Sequence, residues 1–171
     1  MTIIFAFVLI LFAGLSRLFP HPPNFTPVIS VALFAGAYFN KKSALIISLT
    51  GLFLSDLFIG FYGPLMLFVY GSLALAIIFG SVIKKDISIE RIIVCSVAGP
   101  ILFFVITNFG VWVLPDSTYP KTFAGLAECY VMAIPFFRNT LSSTIIYSAG
   151  LFGLYELAER YLFKAKRHNT I

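Results

Sequence analysis

Apolar runs recur along the whole chain, parted only by short clusters of Pro, Gly and charge, and they fall at 2–19, 27–40, 43–61, 64–84, 89–114 and 139–163. A helix needs roughly 17 to 25 residues to cross a hydrocarbon core of about 30 Å, and most of these runs have that length. With 60% of the 171 residues hydrophobic, 20 of them phenylalanine, and only 11% charged, a soluble globule would lack the polar surface to cover its core. The expectation is an all-α membrane protein, a six-transmembrane-helix bundle forming one integral membrane domain over 1–171. A further apolar segment, 122–136, is too short to cross comfortably and ends against Pro135. It is expected as an extra short re-entrant or interfacial helix before the last span.

The net charge of +5 does not indicate nucleic acid, because the basic residues are not gathered among aromatics on a polar surface. They follow the membrane. If both termini are cytoplasmic, Lys41, Lys42, Lys84, Lys85, Arg91, Arg160, Lys164, Lys166 and Arg167 lie inside, and only Arg17, Lys121 and Arg138 lie outside. The tail Lys164-Ala-Lys-Arg-His168 then reads as an anchor on anionic headgroups. The first run has no Lys or Arg before it and no convincing cleavage site, so it reads as a membrane helix and not a secretory signal. Cys95 and Cys129 fall in different segments near opposite faces, which argues against a disulfide and for two buried thiols.

This topology makes the intramembrane polarity one-sided. Asp56 sits about 20 Å up its helix from Ser43, and Asn108 about 25 Å above Arg91, at 1.5 Å per residue. Tyr70, Trp112, Tyr119, Glu128, Tyr130, Arg138 and Asn139 gather at the same outer side. A channel carries polar groups through the full depth, whereas a pocket open on one side needs them at one end only.

The stretch Arg17-Leu-Phe-Pro-His-Pro-Pro-Asn-Phe-Thr-Pro27 supports a pocket. Thr26 reads as a helix cap and Pro27 as the first helical residue. The run from there to Lys41 has about 14 residues, roughly 21 Å, so its N-terminus is expected below the outer surface. A half-buried helix start offers free N–H groups and positive dipole to a ligand. Pro20, Pro22, Pro23 and Pro27 lack N–H donors and stiffen the entering loop, pre-organising His21 and Asn24.

Each of these residues also has a plainer reading. Asp56 is either a ligand contact or the partner of Arg17 or Arg138; Asn108 can bond a neighbouring helix; Glu128 and Arg138 can be loop charges; and Trp112 with the tyrosines can be an interfacial belt. His21 has no second His or Cys at ligand spacing, so no metal is expected. Ala32 and Gly36 form a small-xxx-small face, for internal packing or for docking a partner. Catalytic constellations and phosphate loops are missing, so no enzyme and no cofactor are expected. A pairing of Glu128 with His21 as acid and base would need a geometry that spacing does not establish.

The stretches Pro27-x4-Ala32-Leu-Phe-Ala-Gly-Ala-Tyr-Phe39, Lys41 or Lys42, Ser55-Asp56-Leu57, Gly60, Tyr119-Pro-Lys-Thr-x2-Gly125 and Pro135-Phe-x2-Asn139 resemble a group of small bacterial membrane proteins of unknown function. These in turn resemble the S components, the substrate-binding subunits, of energy-coupling-factor (ECF) vitamin transporters. The resemblance implies a multi-pass protein of the bacterial cytoplasmic (inner) membrane, embedded in the lipid bilayer, that captures a vitamin or related micronutrient near the outer face. It also implies a transmembrane coupling subunit and two ATPase subunits as partners. S components often carry Ala-x-x-x-Ala on the first helix for docking, and here Ala6 is followed four positions later by Ile10. The pocket candidates are Asn24, Asp56, Tyr70, Asn108, Trp112, Glu128, Tyr130, Arg138 and Asn139, with Ala32 and Gly36 for docking. The alternative is a structural or assembly membrane protein without a small-molecule ligand.

Overall fold

The computed structural model describes residues 3–168; the side chains beyond residue 160, and with them the Lys164–His168 cluster, lie outside the described residues. Six helices follow one another: α1 (Ile3–Ser16), α2 (Val28–Tyr38), α3 (Lys41–Ile59), α4 (Leu65–Ile83), α5 (Ile89–Val113) and α6 (Phe123–His168). Among the described residues there is no strand. The Asn40 side chain accepts from the Ser43 N–H at the start of α3, and Gly60 ends that helix at φ 105, a conformation glycine adopts freely.

Successive helices run antiparallel, and cross-contacts give the register. Arg17, just beyond α1, bonds the Leu52 carbonyl of α3, Lys84 after α4 reaches the Phe39 carbonyl after α2, and the Cys129 thiol of α6 lies on the Asn108 carbonyl of α5. One end of the bundle thus holds the connections rich in proline, 17–27, 60–64 and 114–122; the other holds Lys41, Lys42, Lys84 and Lys85.

Helix α2 is the centre. It has 11 residues, Val28 to Ala37 are all buried, and it touches every one of the other five helices. An apolar helix without a polar face is stable only when surrounded. The closest approach is to α4: a Cβ on Gly36 would lie 2.3 Å from the Ile77 carbonyl oxygen, and one on Gly80 2.2 Å from that of Leu33. Across the other side, the Ser30 hydroxyl donates to the Thr144 carbonyl of α6 at 3.0 Å. The five surrounding helices expose large apolar side chains, among them Phe7, Phe58, Leu67, Ile93 and Leu154, whereas α2 exposes none.

Two expectations are corrected here. The segment 122–136 is not a separate helix: α6 runs unbroken for 46 residues through Pro135. Proline removes one N–H from the ladder, but packing on α5 holds both sides of the break, with the Tyr130 hydroxyl donating to the Val105 carbonyl and the Phe104 ring against both Tyr130 and Phe137. Nor are there six full-length spans. Among the described residues three helices, α3, α4 and α5, are long and apolar enough to cross a membrane. The 14-residue α1 and 11-residue α2 are shorter, and α6, though long, carries a polar stretch from Arg138 to Thr144.

Candidate binding site

At 1.5 Å per residue, the 11 residues of α2 span about 16 Å, while the 19 of α4 span about 28 Å and the 25 of α5 about 37 Å. The helices around α2 therefore continue past its N-terminus, and the proline-rich connection folds down into the space they enclose. Asn139 of α6 holds that connection by donating from Nδ2 to the Pro23 carbonyl at 2.9 Å. Asn24 follows at φ 62, in the left-handed region that asparagine tolerates better than most residues.

Two adjoining cavities occupy this space. The larger, of about 410 Å³, is lined by the polar residues Arg17, His21, Asn24, Thr26, Tyr62 and Thr140, with Ile29, Leu73 and Phe103 among its apolar walls. The smaller, of about 220 Å³, lies against α5 and α6 and reaches Asn108 and Thr107. Asn24, Val69, Phe103 and Thr140 belong to both walls.

Arg17 organises the floor charge. Its Nη1 donates to Asp56 Oδ1 at 2.6 Å, to the Ser55 hydroxyl at 2.5 Å and to the Leu52 carbonyl at 3.1 Å. Asp56 is fully buried, and its other oxygen accepts from Tyr70 at 2.7 Å and Tyr62 at 3.4 Å. Burial, and then the Asp56 carboxylate, push the Tyr62 hydroxyl up to about 12, so at neutral pH it stays a donor. The carboxylate is saturated. Arg17 is not: Nε and Nη2 make no hydrogen bond among the described residues, and the side chain is on the cavity wall.

The start of α2 adds two further unsatisfied features. Thr26 does not cap the helix as its sequence position suggests; Pro27 occupies the cap position and no side chain closes the turn. The first N–H groups of a helix have no partner within it, and Val28 and Ile29 line the larger cavity. His21 Nδ1 bonds the Pro22 carbonyl at 2.9 Å, and since a carbonyl only accepts, Nδ1 carries the hydrogen. Its Nε2 is buried without a partner.

The family of unknown function DUF6580 is matched over residues 1–166. The chain belongs to that family. No curated protein and no solved structure matches it.

Of the residues singled out from the sequence, Asn24 lies on both cavity walls and Asn108 on the smaller one, its Nδ2 donating to its own helix at the Phe104 carbonyl. Asp56 and Tyr70 sit behind Arg17 in the charge network, and Asn139 positions the loop. The remaining four lie off the cavities. Trp112 donates from Nε1 to the Pro120 carbonyl and carries Lys121 over its ring, while Lys121 in turn donates to the Trp112 and Leu114 carbonyls; this ties the 114–122 connection to the end of α5. Tyr130 bonds α5, and Glu128 and Arg138 are exposed on α6 outside both linings. Glu128 and His21 share neither a hydrogen bond nor a cavity wall among the described residues.

Ala32 and Gly36 are buried, and Gly36 packs on Ile77 and Gly80 of α4, so this small-residue face serves packing within the chain. Arg17, Thr26, Tyr62 and Thr140 were not among the pocket candidates. Two of them had a sequence signal: Arg17 is a charge directly after an apolar helix, at the end where Asp56 was placed, and Thr26 stands at the start of the short helix α2.

Proposed function

We propose that the protein captures a small organic solute bearing a carboxylate or similar anionic group, as the substrate-binding subunit of a micronutrient uptake system. The observation that carries this reading is the convergence on one cavity of an arginine with spare donors and an uncapped helix N-terminus. An anion is favoured by helix dipole and guanidinium together, and a guanidinium edge matches a carboxylate with two parallel bonds. Asn24 and Thr26 on the same wall suit polar groups elsewhere on the solute. The walls of Ile29, Val69, Leu73 and Phe103 suit its apolar part. A cavity of about 410 Å³ with an adjoining 220 Å³ is in the size range of small-molecule sites, roughly 300–1,000 Å³.

In this reading all six helices lie in the bacterial inner membrane, α3, α4 and α5 as full crossings and α2 as a half-length helix shielded from lipid. The lysine-rich end faces the cytoplasm, following the nine-to-three split of basic residues, and the cavity faces outward. Energy for uptake comes from partner subunits of the ECF kind, since this chain has no phosphate loop. A docking face for such a partner lies elsewhere than Ala32 and Gly36. A second reading, a structural or assembly protein without a small ligand, draws on the saturation of Asp56 by Arg17, Tyr62 and Tyr70.

The two readings separate by mass spectrometry of small molecules extracted from purified protein. Asn24→Gly keeps the positive φ without strain while deleting the amide, and Val69→Phe narrows both cavities. Uptake predicts one organic species enriched with wild type and lost from both folded variants. Empty wild-type preparations from cells grown on rich medium, or a species retained equally by both variants, would contradict it.

A further inference from the structure

A separate cavity, of about 400 Å³, opens at the lysine-rich end between α3 and α4, and shares no lining residue with the solute site. Its floor is the buried Gly36 of α2, its walls are Leu45 of α3 and Leu75 and Ile78 of α4, and it runs along α4 from Gly71 to Ser81. Ten residues of helix correspond to about 15 Å, which is half of a hydrocarbon core of about 30 Å, or the depth of one leaflet. Small residues, Gly36, Gly71, Ala74 and Ser81, leave room between these walls, and Gly71 has nothing within 4 Å of where a Cβ would stand.

Charge closes one end of this groove and not the other. Lys41 lines its mouth, Lys42 follows, and Lys84 is brought to the same corner by its bond to the Phe39 carbonyl at 3.1 Å. Among the described residues Lys41, Lys42 and Lys84 have no carboxylate partner, because the nearby Asp86 faces Arg91 at 3.6 Å. An apolar slot one leaflet deep with Lys41 at its mouth, Lys42 next in the chain and Lys84 held nearby on the Phe39 carbonyl complements an amphiphile with one chain and one negative head.

The geometry points to a specific anionic phospholipid, one acyl chain lying in the α3–α4 groove over Gly36 and Gly71 and its phosphate held by Lys41, Lys42 and Lys84. The site is separate from the solute cavity and stands or falls without it. Its occupant is a component of the membrane and not a transported solute. Three lysines favour a phosphatidylglycerol headgroup over zwitterionic phosphatidylethanolamine, whose ammonium they repel.

Native mass spectrometry of the full chain, released from nanodiscs of equal phosphatidylglycerol and phosphatidylethanolamine, tests this. Wild type retains one phosphatidylglycerol through detergent washing. Lys41→Gln and Lys84→Gln each lower that retention about fivefold, corresponding to the ~1 kcal/mol that a lysine near an anionic surface contributes. Gly71→Leu fills the groove from an open position, so it leaves the fold intact, and it abolishes retention while all lysines remain. Equal retention of both lipids by wild type, or retention by Gly71→Leu at the wild-type level, overturns the proposal; the latter outcome reduces the lysines to a general attraction for the membrane surface.

Discussion

Replacing Arg17 by Met should damage the fold more than replacing Asp56 by Asn, although the two form one ion pair at 2.6 Å. The asymmetry follows from where each partner lies. Asp56 is completely buried, so without the guanidinium its carboxylate keeps only the Tyr70 and Tyr62 hydroxyls, and stranding a buried charge costs about 3–5 kcal/mol. Arg17 is 17% exposed on a cavity wall, where its charge can meet water; Asp56→Asn keeps an oxygen for the tyrosines and should cost about 1–3 kcal/mol. In the double variant Arg17→Met with Asp56→Asn no buried charge is left, so stability should return to near that of Asp56→Asn alone, giving a coupling between the sites of about 3–5 kcal/mol, the whole cost of Arg17→Met. Reversible unfolding of the purified protein in mixed micelles, titrated with a denaturing detergent, measures all four corners of the cycle. Arg17→Met no worse than Asp56→Asn, or a double variant as unstable as Arg17→Met, would refute this account of the network.

Gly80→Ala should lower stability by about 1–3 kcal/mol in the same assay, because its methyl group meets the Leu33 backbone, whereas Gly153→Ala, with nothing within 4 Å, should be neutral or stabilising by up to about 1 kcal/mol. Lys121→Ala removes the donor bridging the Trp112 and Leu114 carbonyls; as the chain has one tryptophan, its fluorescence reports directly, and a red shift with a stability loss of about 1 kcal/mol is expected.

The helical architecture was legible because apolar length and the breakers between runs are local signals. The shortness of α2 and the descent of its entering loop followed from the spacing of Pro27 and Lys41 alone. Pro135 misled: a proline reads as a stop, and only the contacts of Tyr130, Phe104 and Phe137 across α5 and α6 keep the helix continuous through it. Thr26 likewise has a capping side chain in the expected place, but the backbone enters the helix one residue later, at Pro27.

At the site, depth could be counted from the sequence but rotation could not. Asn108, Trp112, Glu128, Tyr130 and Arg138 all belong to the proline-rich half of the bundle; which of them face the cavity depends on how α5 and α6 turn about their axes, and that is set by distant packing such as Phe68 against Gly110. Asp56 was weighed equally as a ligand contact and as an ion-pair partner, since a buried carboxylate serves either purpose. The geometry of Arg17, Tyr62 and Tyr70 around it makes it a pair.

The central claim is that the space above α2 is a water-reachable solute site open to the outside of the cell. Thr26→Cys places a thiol on its wall, while the native Cys95 and Cys129 are buried and contribute little background. Labelling this variant with a membrane-impermeant maleimide in right-side-out and inside-out vesicles is the direct measurement. The account predicts modification from the extracytoplasmic side only, slowed by the solute that co-purifies with wild type; modification from the cytoplasmic side, or none from either side, would contradict it.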